Sequence, residues 1–139
     1  MKTLTFDKPR VNAYVAAKVG RRAPWPAEYQ AVGIEQDGEI IGGVVIDGIV
    51  QGARCSIHCA GEGRRWLTRE FIRVVFGYVF NVINCKVVIN PVDSGNADSI
   101  RFTTHMGFTE ALRIAGGAGD QDLIVFTMPR ADCRWLERV

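Results

Sequence analysis

The sequence lacks both a large net charge and a long apolar run. Its 17 Lys and Arg residues against 15 Asp and Glu residues give a formal charge of +2, whereas dedicated nucleic-acid-binding proteins are usually strongly basic. No apolar run approaches the ~20 residues that a membrane-spanning helix needs, and the first residues have no apolar signal-peptide segment. We therefore expect a cytoplasmic protein with no membrane partner, and nucleic acid is disfavoured as a partner.

The sequence also lacks the cysteine spacing of a disulfide framework or a zinc site. Only four cysteines occur in 139 residues, and a chain with 47% hydrophobic residues can bury its own core without disulfides. No two cysteines have Cys-x-x-Cys spacing. Because successive side chains along a strand point to opposite faces, His58 is expected on the face opposite Cys55 and Cys59. We therefore predict reduced thiols and no metal site.

Internal repeats, low-complexity tracts and interdomain linkers are absent, which predicts a single domain over residues 1–139. Hydrophobic periodicity and turn residues then give the order of its secondary structure. Strands are predicted over 3–6, 29–36, 40–50, 53–60, 85–92, 109–115 and 122–128, and helices over 9–20, 68–83 and 96–106. Glycines in the long third strand indicate bulges or close backbone approach, and the glycine run at 116–119 predicts a flexible hairpin tip.

The helix at 68–83 is the best-defined element of the sequence. Its apolar residues recur at helical spacing and leave only a narrow polar stripe, so it is expected to pack against a sheet. Thr68 is a good N-cap residue for it. Because the helix connects the strands at 53–60 and 85–92, these two strands are expected to be parallel, with a ligand slot between them.

The segment after the strand at 85–92 resembles a known acyl-CoA site. Asn96, Ser99, Ile100, Phe102 and Gly107-Phe108 fall where the GNAT superfamily of N-acyltransferases has its Asn, small residue, two apolar residues and Gly-Phe. The resemblance implies the GNAT fold, in the α/β (α+β) class. This is a mixed, mainly antiparallel sheet of six to seven strands with a V-shaped split and helices on both faces.

The resemblance also implies acetyl-CoA as cosubstrate and an N-acetyltransferase activity. In the family, the turn before the long helix holds the pyrophosphate with backbone amides, and the Asn contacts the pantetheine arm. Unpaired N–H groups at a helix start favour the same assignment on physical grounds. The residues predicted to bind the cofactor are Gly63, Arg64, Arg65, Trp66, Leu67, Thr68, Arg69, Asn96, Ser99 and Phe102.

Two features depart from the family pattern. Trp66 and Thr68 stand where the turn usually has small residues, so either the turn is shifted or Arg64 and Arg65 replace backbone contacts with charge. Arg-Trp-Leu-Thr at this turn is typical of a subgroup found in phages and prophages. Thr103 replaces the tyrosine that protonates the leaving thiolate in many members, and an aliphatic hydroxyl is too weak an acid to take over that role.

His58 and Asp93 are the candidate catalytic bases. The ordinary pKa of histidine lies near neutrality, which suits removal of a proton from an amine, most simply through water. The competing interpretation of His58 is a hydrogen-bonded structural histidine. Cys59 as an acyl-accepting nucleophile has no evident base beside it.

The acceptor amine is left open by the sequence. It could be a small-molecule or protein amine, and assembly into a homodimer is also left open. The competing function is a GNAT-like fold without catalytic activity that acts as a protein-interaction module.

Overall fold

The computed structural model describes residues 1–26 and 28–136, which form one seven-stranded sheet with helices on both faces. The strands are β1 (Lys2–Thr5), β2 (Gln30–Gln36), β3 (Glu39–Val50), β4 (Arg54–Gly61), β5 (Val87–Asp93), β6 (Thr109–Ala118) and β7 (Gln121–Pro129), and the helices are α1 (Lys8–Lys18), α2 (Arg69–Gly77) and α3 (Ala97–Met106). The sheet order is β1-β2-β3-β4-β5-β7-β6, and among the described strands β4–β5 is the one parallel pair. The predicted mixed, mainly antiparallel sheet is confirmed, and no strand end lies more than three residues from its predicted position.

Adjacent glycines in β3 let helix α1 approach the sheet on one face and the Trp66 side chain on the other. A Cβ added at Gly43 would lie 2.8 Å from a Val11 methyl carbon of α1, and one at Gly42 would lie 2.5 Å from the Trp66 indole on the opposite face. Because neighbouring strand residues point to opposite faces, the two contacts do not compete. The predicted close backbone approach in β3 is confirmed at both glycines.

Helix α2 differs from the regular helix predicted over 68–83. The Thr68 side chain accepts a hydrogen bond from the Phe71 N–H at 3.2 Å, so the predicted N-cap is confirmed. The α-helix ends at Gly77 and continues as a π-helical turn over Tyr78–Val82, in which the Ile83 N–H bonds the Tyr78 carbonyl. The wider turn buries the adjacent Val79 and Phe80 together, and apolar periodicity alone does not reveal it.

Helix α3 is fixed at both ends and through its middle. Asn96 caps its start by accepting a hydrogen bond from the Ser99 N–H, and Gly107 ends it with a left-handed φ of 113°. Thr103 is fully buried, and its hydroxyl accepts a hydrogen bond from the Asn90 side-chain amide of β5 at 3.0 Å. This buried polar pair fixes α3 against the sheet.

The hairpin between β6 and β7 corrects a prediction. The glycines at 116–117 and Ala118 belong to β6, and only Gly119 and Asp120 form the turn. The Gly116 N–H donates to the Asp122 carboxylate, and a Cβ at Gly117 would lie 2.7 Å from the Leu123 Cβ. The glycines therefore allow close packing within a strand, where a flexible tip was expected.

Among the described residues, none of the helices has the length and apolar content required to span a bilayer.

We predict that Thr103→Val destabilises the protein by about 1–3 kcal/mol, because the buried Asn90 amide would lose its acceptor. Urea unfolding followed by circular dichroism measures the change. Thr104→Val at the exposed neighbouring position is the matched control and should change stability by less than ~0.5 kcal/mol. Equal stability of Thr103→Val and the control would contradict a structural role for this hydrogen bond.

Candidate active site

Strands β4 and β5 are paired only over their first three positions. Arg54, Cys55 and Ser56 lie opposite Val87, Val88 and Ile89, and no further pair follows. Strand β4 continues to Gly61 and stays paired with β3 on its outer side. Strand β5 continues to Asp93 and stays paired with β7 on its outer side. The V-shaped split predicted between 53–60 and 85–92 is therefore confirmed.

Pro91 explains why the ladder stops where it does. The Val87 N–H donates to the Ala53 carbonyl, so alternation directs the backbone groups of odd-numbered β5 residues toward β4. The next such residue after the Ile89 pair is Pro91, which has no N–H to donate. The role of Pro91 was not predicted from the sequence, although a proline inside a buried strand pattern was the available signal.

Backbone groups of β4 line the other side of the split. The Glu62 N–H bonds the Ile41 carbonyl of β3, whereas the Ala53 carbonyl bonds the Lys86 N–H on the β5 side. The register of β4 against β3 is uninterrupted from Ser56 to Gly61. Since the Glu62 N–H points toward β3, alternation along this stretch directs the N–H groups of Cys59 and Gly61 into the split. Such fixed amides can stabilise negative charge on a thioester oxygen.

Trp66 lies beneath the turn that precedes α2. Its indole is buried against the paired Gly42 and Gly61, where added Cβ atoms would come within 2.5 and 2.3 Å of the ring. Its Nε1–H donates to the Gly63 carbonyl at 3.1 Å, and its ring centroid lies 5.7 Å from that of Phe102. The bulky residue that departs from the family pattern therefore points into the core and leaves the outer surface of the turn clear.

The arginines of the turn have different surroundings. Arg65 donates to the Glu62 carboxylate and to the Gln36 side-chain oxygen, both at 3.1 Å. Arg64 and Arg69 are exposed and form no ion pair with the described residues. The exposed cations and the N–H groups at the start of α2 together form a surface suited to phosphate.

An apolar pocket extends from this turn between β4, α2 and α3. Its volume is only about 20 Å³. It is lined by Val44, Ile57, Cys59, Trp66, Leu67, Phe71, Ile72, Val75, Phe76, Phe102, Met106 and Phe108. The structure thus brings Leu67 and Phe102 together here, whereas Asn96 and Ser99 form the cap of α3.

His58 lies on the opposite face of the sheet and is held from two sides. Its Nε2 is 2.7 Å from an Asp47 carboxylate oxygen, and its ring centroid lies 4.8 Å from that of Trp25. Asn12 exchanges two hydrogen bonds with the Trp25 backbone, which fixes the loop above the histidine. Asp47 was not predicted from the sequence; its signal was an acidic residue inside an apolar strand run.

Asp93 occupies a different place. It is exposed at the end of β5, and its carboxylate accepts a hydrogen bond from the Gly95 N–H at 2.7 Å. Within the described residues it makes no ion pair or hydrogen bond with His58. The structure therefore places Asp93 in the turn before α3 and does not join the two predicted bases.

A cleft of about 650 Å³ opens on the His58 face of the sheet. It is lined by Lys8, Glu28, Tyr29, Gln30, Gly48, Ile49, Val50, Arg54, Ser56 and Ile89. Ser56 shares the strand face of His58, and Gly48 follows Asp47 directly, so the cleft borders the histidine–carboxylate pair. Its mixed charges suit a polar acceptor.

The fold of this chain is similar to that of solved N-acetyltransferase structures. The chain superimposes on a mutant form of the spermidine/spermine N-acetyltransferase SpeG from Vibrio cholerae with TM-score 0.73 and 13% identity, covering 94% of this chain and 96% of that one. The ribosomal-protein-S18-alanine N-acetyltransferase from Escherichia coli gives TM-score 0.70, 16% identity and coverage of 93% and 94%. No family model and no curated protein matches the sequence. The chain has the fold of GNAT N-acetyltransferases, as the sequence analysis predicted.

The thiols of the site give a prediction about reactivity. Burial raises the pKa of Cys59 to about 12 and also raises the pKa of Cys55, Cys85 and Cys133. From an ordinary value of 9.0, that shift lowers the thiolate fraction of Cys59 roughly 1000-fold near neutral pH. At pH 7.5 iodoacetamide should label Cys59 at least ~100-fold more slowly in native than in urea-unfolded protein, measured by peptide mass spectrometry.

The native labelling rate should rise with pH until the pH approaches about 12, since only the thiolate reacts. Similar native and unfolded labelling rates at pH 7.5 would show that Cys59 is an accessible thiolate and would reopen its role as a nucleophile.

Proposed function

We propose that this chain is an acyl-CoA-dependent N-acyltransferase that moves an acetyl group from acetyl-CoA to a primary amine by direct transfer. The observation that carries the proposal is the split between β4 and β5, which joins a phosphate-suited turn on one side to a carboxylate-held histidine on the other. The GNAT-type solved structures that share this fold are N-acetyltransferases, which supports the same chemistry.

The proposed cosubstrate site runs along the split. The turn at 63–69 would hold the pyrophosphate through the free N–H groups at the start of α2 and the side chains of Arg64 and Arg69. The pantetheine arm would follow the backbone of Cys59 and Gly61 toward Asn96. These donors match the phosphate and amide acceptors of acetyl-CoA.

The proposed reaction removes two protons from the amine nitrogen and stabilises one negative charge. An alkylammonium with a pKa near ~10 must lose a proton before it attacks, and His58, oriented by Asp47, would receive that proton through water. The amine nitrogen then forms the amide bond to the acetyl carbon as the carbon–sulfur bond breaks, and it gives its second proton to water as the thiolate leaves. The Cys59 N–H would stabilise the oxyanion in the transition state.

Thiolate departure would depend little on a side-chain acid. Thr103 replaces the usual tyrosine and its hydroxyl accepts a hydrogen bond from Asn90 in the core. A thiolate with a pKa of ~8.5 is a tolerable leaving group without a proton donor. Direct transfer is also favoured over an acyl-enzyme, because burial keeps Cys59 protonated.

A protein-interaction module without catalysis is the second candidate. The small apolar pocket, about 20 Å³, favours it, since a pantetheine arm entering there would have to displace side chains such as Phe102. Acetyl-CoA binding separates the two candidates, because a ligand at 100 times its Kd stabilises the folded state by ~2.7 kcal/mol. A thermal shift with acetyl-CoA therefore supports the enzyme, and its absence supports the module.

The acting unit would be the single domain 1–139, located in the cytoplasm. We infer membership of the phage or prophage subgroup from its Arg-Trp-Leu-Thr turn. Its acceptor is the primary amine of a small molecule or protein.

The pyrophosphate assignment gives the next prediction. Reversing both Arg64 and Arg65 to Glu should weaken acetyl-CoA binding at least ~10-fold in calorimetry, because Arg64 beside the phosphates and its neighbour in the same turn both become anions. The double variant Lys2→Glu/Lys86→Glu carries the same charge change at exposed positions outside the turn and should bind normally. Unchanged affinity in the Arg64/Arg65 variant would place the pyrophosphate elsewhere.

The proton path gives a kinetic prediction. Once an amine panel screened for thiol release identifies an acceptor, His58→Gln should lower kcat/KM ~100-fold or more while leaving acetyl-CoA affinity unchanged. Asp47→Asn should lower it less, because it removes only the group that orients the imidazole. If Asp93→Asn lowers kcat/KM while His58→Gln does not, the base is Asp93 and the role given to His58 is wrong.

A further inference from the structure

Strand β4 begins with an arginine that has no acidic neighbour across the sheet. Arg54 lies opposite Val50 of β3 on one side and opposite Val87 of β5 on the other. Facing side chains on neighbouring strands are close enough to interact, but valine has no charge to offer. Among the described residues the exposed Arg54 side chain forms no ion pair and no hydrogen bond. Its guanidinium, in the central strand of the sheet, is therefore available to an external partner.

Arg54 stands at one end of a row of polar side chains. Alternation along β4 places Arg54, Ser56 and His58 on the same face of the sheet. The opposite face carries Cys55 and Ile57, which are buried in the core. Because a strand rises about 3.3 Å per residue, about 13 Å separate the Cα atoms of Arg54 and His58. The row therefore has the proposed base at one end and a cation at the other.

The cleft of about 650 Å³ runs along the Arg54 half of this row. Both Arg54 and Ser56 line it, together with Gly48 of β3. The register of β3 against β4 shifts between Asp47 and Val50, and Gly48 within this bulge has a left-handed φ of 57°. A Cβ at Gly48 would lie 3.7 Å from Ser56 Oγ. The bulge thus presents only backbone beside Ser56 and keeps this part of the cleft open.

The other charges that line the cleft leave Arg54 without a counterpart. Lys8 of α1 and Glu28 both line it on the β2 side, next to Tyr29, whose ring centroid lies 5.0 Å from Lys8 Nζ. A cation and an anion on the same wall largely cancel in the electrostatic field at the other wall. Arg54 is therefore the uncompensated charge of the cleft.

The two ends of the row have opposite charge. At one end the Asp47 carboxylate lies 2.7 Å from His58 Nε2, where it also attracts an ammonium group. At the other end the Arg54 guanidinium offers a fork of N–H donors, which matches the oxygens of a carboxylate or phosphate. Apolar Ile49 and Ile89 line the cleft and suit a hydrocarbon chain. An acceptor that fills the row thus carries its amine at one end and an acidic group at the other.

We propose that Arg54 is a specificity-determining residue, and that the acceptor is a primary amine whose linear carbon chain ends in a carboxylate or phosphate. The amine would lie beside His58 at the split, and the acidic group would bind Arg54 in the cleft. This inference rests on the proposed function and adds the substrate class. Diamines are disfavoured as acceptors, because Arg54 would face their second ammonium group.

A panel of amines that differ only at the far end of the chain tests the assignment. Hexylamine, aminocaproate, aminohexyl phosphate and hexanediamine are compared by thiol release at saturating acetyl-CoA. At least one of the two acids should exceed hexylamine in kcat/KM by ~10-fold or more, because it adds a charge-assisted hydrogen bond. Hexanediamine should be the poorest acceptor. The better of the two acids shows whether the recognised group is a carboxylate or a phosphate.

Variants at one position attribute the preference to the guanidinium. Arg54→Gln should lower kcat/KM for the preferred acid at least ~10-fold and for hexylamine much less. Arg54→Lys should retain part of the preference, and Arg54→Glu should reverse it in favour of hexanediamine. The matched control Lys86→Gln removes an exposed cation that does not line the cleft, and it should keep the native preference. Circular dichroism checks that each variant is folded.

Two results overturn the substrate class while leaving acyl transfer intact. They are equal kcat/KM for hexylamine and both acids in the native protein, and a preference for acids that Arg54→Glu retains. The absence of a thermal shift with acetyl-CoA counts instead against the proposed function. If none of the amines is acetylated, calorimetry of the two acids with native and Arg54→Gln protein tests the cleft without turnover. Binding that the variant loses supports the proposal, and absent or equal binding overturns it.

Discussion

The missing N–H of Pro91 is the constraint on which the site depends. A central strand normally bonds to both neighbours along its length, but Pro91 cannot donate to β4 at the first position beyond the Ile89 pair. Because β7 still holds β5 as far as Asp93, the strand stays ordered while it diverges. The split is therefore a fixed opening in an otherwise continuous sheet, and its walls are backbone groups that need no side-chain rearrangement to present donors.

The opening connects two faces that are built differently. On one face Trp66 packs over a pair of glycines and supports the turn before α2. On the other, Asn12 fixes the Trp25 loop against His58, which Asp47 holds from β3. Both arrangements depend on β3 and β4, whose side chains alternate between the faces. A cosubstrate and an acceptor could thus approach each other through the sheet from opposite sides.

The parts of the fold that were predictable from the sequence are those encoded locally. The caps Thr68 and Asn96, the left-handed Gly107 and the helical crossover each follow from a few neighbouring residues. The π-helical turn was not predictable, because it depends on how Val79 and Phe80 meet the core. The pairing of His58 with Asp47 joins residues eleven positions apart across two strands, and only the register of β3 against β4 brings them together.

The π-helical turn also fixes the phase of everything that follows it. Between Tyr78 and Val82 the backbone holds one residue more than a regular helical turn would need. If the same residues formed a regular α-helix instead, the chain that follows would be advanced by about one residue along its path. Strand β5 would then enter the sheet displaced by one position, which would exchange its two faces. Asn90 would turn away from Thr103, and Pro91 would turn its nitrogen toward β7, where a donor is needed. The opening would close on one side and the sheet would break on the other, so the length of this helix is as much a determinant of the site as any residue that lines it.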